Sequence, residues 1–403
     1  MKILQLTHKP PVPSIDGGCL AMRQISNSLL SSGVELRVIA IETKKHPIVP
    51  SAEFTNYKEN TNFESVFVNT NITIPKIVKS LLGKRSIHAN RFYSKKMNER
   101  LKTLFSHEPF DVVIFESIFT GAYIPTVRKY SKARIIMRIH NIEHLIWRRL
   151  ALQEKNLLKK LFFYSVASSL KRFECSLFKK IDGYIPITEV DNFYFSQQFP
   201  TLCGQVIPFG IDIKEYHYEK GELPTEPISF FHIGSMNWQP NKEGICWFLD
   251  NIWEKATAKY PNITLVLAGK GNAELFKSRT LKNVKVYDFV EDAQQFIKEH
   301  DIMLVPLLSG SGMRIKIMEG MALGKPIITT SIGAEGISVK DKENILIADS
   351  PEAMLDLLFF CIEHPEKCEE IGRNARQLIE DRYTQEKISK DLIAFLNTIK
   401  STI

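Results

Sequence analysis

Apolar positions along this chain form two alternating series. In the first, the strand-like runs Lys2–Thr7, Val34–Ile41, Asp111–Phe115 and Ala133–Ile139 alternate with stretches of helical periodicity, the pattern of a parallel sheet wound with helices. Residues about 43–105 interrupt it. They are polar and rich in Lys and Arg, which predicts an irregular basic insertion. Ile142 to Lys180 reads as helix, and Tyr184–Thr188 and Gln205–Ile207 return to strand, so the first domain is expected to span 1–208. After a charged, turn-rich linker at 211–227, a second series begins at Ile228–Ile233 and continues through Ile263–Ala268, Val284–Tyr287, Ile302–Pro306, Pro326–Thr329 and Ile345–Ala348. Six strands fit a second Rossmann-like sheet in 209–384. The last stretch, 385–403, carries Ile388, Leu392, Phe395, Leu396 and Ile399 on one stripe and predicts a helix packed back across the domains. The fold class is therefore α/β, two Rossmann-like doubly wound domains facing a central cleft.

The 16 residues Gly310–Lys325, GSGMRIKIMEGMALGK, are the richest in chemistry. They predict a glycine turn after a strand and then a helix whose free N–H groups and positive dipole end favour an anion. Ile315, Met318 and Ala322 share one helical face, Lys316 and Glu319 another, and Gly324 falls where the helix should stop. Arg314 and Lys316 in the first turn oppose the dipole unless an external anion compensates, which favours a phosphate ligand. An exposed, merely solvated first turn is the alternative.

Composition narrows the class. With 403 residues, 44% of them hydrophobic, the chain fits two domains, and it holds no uninterrupted apolar run of membrane-spanning length. The six cysteines, Cys19, Cys175, Cys203, Cys246, Cys361 and Cys368, lack metal-ligand spacing and suit a reducing compartment, so we expect neither zinc nor disulfides and a cytoplasmic protein. Net charge is +8, but residues 1–200 carry 30 basic and 16 acidic side chains, against 23 and 29 in 201–403. A basic first half suits an anionic partner, either a membrane surface, a phosphorylated lipid or nucleic acid. Ile146–Phe173 interleaves Arg148, Arg149, Lys155, Lys159, Lys160, Lys171 and Arg172 with Leu157, Leu158, Leu161, Phe162 and Phe163. That composition reads either as a helix lying on the inner face of the cytoplasmic membrane or as a core helix with solvated cations. No nucleic-acid module is present, so nucleic acid is not expected as a partner.

With these motifs placed, the chain resembles the retaining nucleotide-sugar glycosyltransferases of the GT-B kind, family 4 (group 1 glycosyltransferases), over almost its whole length. The carriers are Asp16-Gly17-Gly18, Arg138-Ile139-His140-Asn141, Ile207-Pro208-Phe209-Gly210-Ile211-Asp212, Gly234-Ser235-Met236 and Gly310–Pro326. The resemblance implies an acceptor-binding first domain, a second domain holding a UDP- or GDP-type sugar donor, no cofactor and no metal. It implies that Glu319 holds the ribose hydroxyls, that the Val290 backbone contacts the base, and that His140 lies near the transferring sugar. Gly17 and Asn141 would serve the acceptor, and Gly18, Gly234, Ser235, Gly310, Ser311, Gly312 and Met313 the donor. Two places depart from the family. Ser311 replaces the first glutamate of its glutamate pair, and Ser235 and Asn241 stand where an arginine and a lysine usually clamp the diphosphate. Arg314 and Lys316 are expected to supply that missing charge, Arg314 through its bidentate fork.

The function expected is retaining transfer of a sugar to a surface glycan or a lipid-linked acceptor. The alternatives are a nucleotide-sugar 2-epimerase and a catalytically degenerate binding subunit. A dinucleotide oxidoreductase is disfavoured, since no GxGxxG follows Lys2–Leu6 or Phe230–Ile233.

Overall fold

The computed structural model describes residues 1–71, 86, 90–218, 227–310 and 312–401. The chain divides into two compact units, Met1–Phe209 with Ile388–Ile403, and Gly210–Lys387.

In the first unit, β1 (Lys2–Thr7), β2 (Glu35–Glu42), β3 (Glu64–Phe67), β4 (Val112–Glu116), β5 (Arg134–Ile139), β6 (Gly183–Pro186) and β7 (Cys203–Gly204) form one parallel sheet in the order β3-β2-β1-β4-β5-β6-β7. Its central strands are apolar on both faces because helices cover both. Leu6 pairs with Phe115 and Phe115 with Met137, all fully buried. The described part of the stretch expected to be an irregular insertion contains regular elements: the helix Ala52–Thr61, strand β3 at the sheet edge and the helix Lys95–His107. Polar composition concealed them. The helix Lys95–His107 needs only Met97, Leu101, Leu104 and Phe105 to cover the sheet, and β3 is a half-exposed edge strand. The Lys76–Lys96 basic stretch lies largely outside the described residues. The strand expected at Gln205–Ile207 occurs two residues earlier as β7, although the amides of Gln205 and Ile207 still bond the carbonyls of Tyr184 and Pro186 at 3.1 and 3.0 Å. The C-terminal helix, Gln385–Ser401, buries its stripe of Ile388, Leu392, Phe395, Leu396 and Ile399 with Ile3, Ile114, Ile136 and Ile185 of this unit. Lys400 Nζ also pairs with Asp111 at 2.9 Å.

The second unit is a parallel sheet of β8 (Ser229–Ile233), β9 (Thr264–Ala268), β10 (Val284–Tyr287), β11 (Ile302–Val305), β12 (Ile327–Thr329) and β13 (Leu346–Ile347), in the order β10-β9-β8-β11-β12-β13. Strand order reverses beside β1 in the first unit and beside β8 in the second. The loops leaving β1 and β4, and those leaving β8 and β11, therefore diverge at the carboxyl ends of their sheets and leave a crevice there, the usual ligand position in such sheets. The six cysteines are free, three of them buried.

Candidate functional site

In the second unit the chain leaves β11 and turns through Gly310 and Gly312, whose φ angles of 118° and 81° suit glycine alone, into the helix Ile315–Ala322. Arg314 is the cap of this helix, with φ −91° and ψ 93°, rather than a member of its first turn. The residue is 4% exposed, and its guanidinium folds onto its own turn. Nη1 donates to the Gly312 carbonyl, Nη2 to the Ile332 carbonyl at 3.4 Å, and the group lies 5.8 Å from the Trp238 ring. The fork expected to face a phosphate is thus spent largely on shaping the glycine turn. The core face also differs from the expected Ile315, Met318 and Ala322. Ile317, Met318, Met321 and Ala322 are buried, while Ile315 is half-buried, because the helix starts at 315 and packs through its 317/321 and 318/322 rows. Gly324 ends it with φ 68°.

Lys316 and Glu319 flank that buried stripe. The Lys316 amine donates to Asn241 Oδ1 at 2.9 Å and faces His232 Nε2 at 3.4 Å. His232 is fully buried in β8, and its Nδ1 lies 2.7 Å from the Leu304 carbonyl. A carbonyl only accepts, so Nδ1 carries the proton and Nε2 presents a lone pair to the lysine. Burial and the Lys316 charge hold His232 well below its ordinary pKa, so it stays neutral. Gly234 makes the arrangement sterically possible: a Cβ there would collide with Lys316 Nζ and come 2.6 Å from Asn241 Nδ2. Lys316 is therefore an ammonium held by two neutral acceptors. Burial, with Arg314 nearby, lowers it to about 7, against a weaker opposing pull from Glu319. Glu319 accepts from Tyr216 OH at 3.2 Å, and burial raises its pKa despite that bond and Lys316. One helix thus presents a cation of adjustable charge and, one turn on, a carboxylate of limited solvation. Such a pair suits a phosphate and a diol.

Other expected donor residues fall around this helix with varied surroundings. Ser235 Oγ donates to the Lys270 carbonyl at 3.2 Å and accepts from the Asn237 amide at 3.2 Å, so it shapes the turn after β8. Met313 and Val290 are half-buried, while the neighbouring Phe289 is 77% exposed. Ser311 lies outside the described residues.

In the first unit a buried polar cluster closes the carboxyl ends of β4 and β5. Glu116, fully buried, accepts from Gln5 Nε2 at 2.8 Å, Arg138 Nη1 at 3.3 Å and His140 Nε2 at 2.7 Å. Burial would raise its pKa, but Arg138, His140 and Gln5 outweigh that and hold it at about 2. Glu116 is therefore ionised, His140 Nε2 must donate, and Nδ1 keeps a lone pair. Burial keeps His140 below its ordinary value, despite Glu116. Ser117, immediately after Glu116, has φ 70°, a strained conformation that collects at functional sites. Glu143 and His144 form helix-start contacts rather than supporting His140: the Glu143 amide donates to Glu174 Oε1 at 3.0 Å, and His144 bonds Glu174 and, at 2.9 Å, Tyr194. Burial and Glu174 still push Glu143 up to about 7, while Asn141 and Arg91 pull it down, so a carboxyl near neutrality stands beside Asn141.

Gly17 and Gly18 begin the helix Gly17–Ser31, whose cap Asp16 accepts from the Cys19 amide at 2.9 Å. Lys9 pairs with Asp16 at 2.7 Å, and a Cβ on Gly18 would sit 2.9 Å from the Lys9 amine. A carboxylate already occupies this helix N-terminus, so Gly18 leaves room for Lys9 more directly than for a phosphate.

Sequence reasoning missed His232 and Glu116 and noted Asn241 only as a replacement. The signals were a histidine inside the buried run SFFHI and a glutamate ending VVIFE, each a polar group in an apolar strand. Among the described residues, no group of three or more His, Cys, Asp or Glu side chains is arranged to hold a metal ion, and no helix is long and apolar enough to cross a membrane.

Residues 227–363 match the family of group 1 glycosyl transferases. An uncharacterized 44.6 kDa protein in the cps region of Klebsiella pneumoniae is 23% identical over 306 residues, 73% of this chain and 76% of that one. Among solved structures, sucrose-phosphate synthase from Thermosynechococcus elongatus superposes with a TM-score of 0.71 at 14% identity, covering all of both chains. Anabaena Alr3699/HepE in complex with UDP-glucose does so with 0.64 at 16% identity, covering 99% of this chain and all of that one. The two parallel-sheet units have the GT-B fold.

Proposed function

We propose that this chain, whose second unit carries a group 1 glycosyltransferase domain, transfers a sugar with retention from a nucleoside diphosphate donor to a glycan acceptor. The observation that carries the reading is the Ile315–Ala322 helix, which sets the Lys316 ammonium and the Glu319 carboxylate one turn apart beside a glycine turn. A diphosphate needs a cation where negative charge grows as its bond to the sugar breaks, and Lys316 supplies it. Glu319 takes the ribose hydroxyls in place of the Tyr216 hydroxyl. UDP-glucose in the HepE structure supports a nucleotide-sugar donor of the UDP class, and the cps-region relative supports a cell-surface glycan or its lipid-linked precursor as acceptor.

In this mechanism the bond between the anomeric carbon and the diphosphate oxygen breaks while the acceptor hydroxyl oxygen bonds the same face. The acceptor proton passes to the departing diphosphate. No enzyme nucleophile or metal is required. Orientation and charge stabilisation carry the rate. Arg314 acts by holding the Gly312 carbonyl and so the glycine turn beside the donor. In the first unit His140, kept neutral, offers the Nδ1 lone pair to a sugar hydroxyl, and Asn141 lies next to it for the acceptor. His140→Ala should lower kcat by about 10–100-fold, read in steady-state kinetics at saturating donor; an unchanged kcat removes His140 from the reaction.

The test of the reading is a thermal-shift screen against UDP, GDP, ADP, CMP and NAD, run on the native chain and on Glu319→Ala. One nucleoside diphosphate should raise Tm in the native chain, and the shift should vanish in the variant. No shift with any of them overturns a donor site on this helix. Binding without turnover on any acceptor identifies a degenerate subunit, and free sugar released without an acceptor identifies an epimerase.

A further inference from the structure

The helices Glu143–Gln153 and Leu157–Phe178 form a hairpin whose base and tip differ in character. Beyond Val166 the second helix is ordinary core, with Val166, Ala167, Leu170, Leu177 and Phe178 buried. The tip is inverted. Leu150, Leu152, Leu157, Leu158, Leu161 and Phe162 are 42, 61, 68, 79, 59 and 44% exposed. A contiguous group of this kind on one hairpin tip marks a contact surface rather than scattered surface leucines. The tip is also firmly carried: Trp147 and Phe163 pack edge-to-face across the two helices at 5.6 Å.

Charge identifies the partner. Residues 148–162 hold five cations, Arg148, Arg149, Lys155, Lys159 and Lys160, against the single carboxylate of Glu154, which accepts from the Asn156 amide at 2.8 Å. A symmetric pairing of two copies through this tip would press ten cations together around the leucines. A nucleic acid would answer the cations and leave six large apolar side chains in water. An anionic bilayer answers both, since leucine and phenylalanine enter the acyl boundary while lysine and arginine stay among the headgroups.

We propose that the hairpin tip at 150–162 docks this protein on an anionic lipid surface. This deepens the reading above by naming the surface at which a lipid-linked acceptor would be met, and it rests on that reading only for its purpose. Vesicle binding is read without donor or acceptor, so failure of either claim leaves the other standing.

The experiment is co-sedimentation of the full chain with vesicles of phosphatidylglycerol and phosphatidylcholine, and with phosphatidylcholine alone, at low and high salt. We expect at least about tenfold stronger binding to the anionic vesicles, weakened by salt. The triple variant Leu157→Ser, Leu158→Ser, Leu161→Ser should lose at least about tenfold in binding with an unchanged Tm, because all three side chains already face solvent. The variant Lys155→Glu, Lys159→Glu, Lys160→Glu should abolish the anionic preference. Equal binding by the native chain and the serine variant, or no binding to anionic vesicles, overturns the proposal. So does a dimer in sedimentation velocity that the serine variant dissociates, which would assign the surface to a second copy.

Discussion

Lys316→Met is expected to lower kcat/KM for the sugar donor by about 10²–10³-fold, the loss typical of one preorganised group aimed at developing negative charge. Methionine keeps the length of the stem, so the packing beside His232 and Asn241 is largely retained and the change is mainly one of charge. The native amine is also poised in pH. With its pKa lowered to about 7 by burial and by Arg314, the free protein carries a charged Lys316 below neutrality and a neutral one above. A diphosphate favours the charged form. Donor kcat/KM should therefore fall as pH rises through about 7, approaching tenfold per unit above it, and binding should take up a proton. His232 stays neutral throughout and contributes no competing step. Steady-state kinetics from pH 6 to 9 on the native chain and the methionine variant check both claims. The variant should be flat where the native profile falls. A variant within threefold of native would remove Lys316 from the diphosphate.

Glu116→Gln is expected to have the largest effect on stability. Glu116 and Arg138 are both fully inaccessible, and their carboxylate and guanidinium neutralise each other inside the first unit. Removing one member leaves the other charge buried without compensation, a cost of about 3–5 kcal/mol. For a unit of this size that lowers Tm by roughly 10 °C, read in calorimetry as a shift of the first unit's transition. Glu116→Leu combined with Arg138→Met should lose much less, because the surviving charge is removed as well. A loss below about 2 °C in Glu116→Gln would mean that the pair is not what closes β4 and β5. The pH dependence has a definite sign. The folded pKa of about 2 lies below the usual 4.5, so the stabilisation is complete above about pH 4.5 and is lost as pH falls towards 2. Glu116→Gln should remove that part of the acid sensitivity. His140 should lose its orientation in the same variant, and its kcat effect with it.

How much of this could be read from the chain alone depended on how local the deciding physics is. The apolar runs KILQLT, VVIFE and IMLV determined where the central strands of each sheet lie, because a strand covered on both faces needs nothing but apolar side chains. The helix Lys95–His107 and strand β3 escaped because each has to bury only a few residues once a sheet edge is present. At the site, the glycines, Lys316 and Glu319 were legible because turn, helix start and charge spacing are properties of a short segment. What receives each cation was not. Arg314 is absorbed by the Gly312 and Ile332 carbonyls, and Lys316 is received by His232 and Asn241, partners 84 and 75 residues away. The same holds for Glu116, Arg138 and His140, whose charge states follow from strands β4 and β5 bringing them together in the buried interior. Sequence alone determined which residue types stand at the ends of the strands. Only the tertiary structure decided which charges are desolvated and by what they are held, because desolvation and hydrogen-bond partnership are set by neighbours brought together through the sheet rather than along the chain.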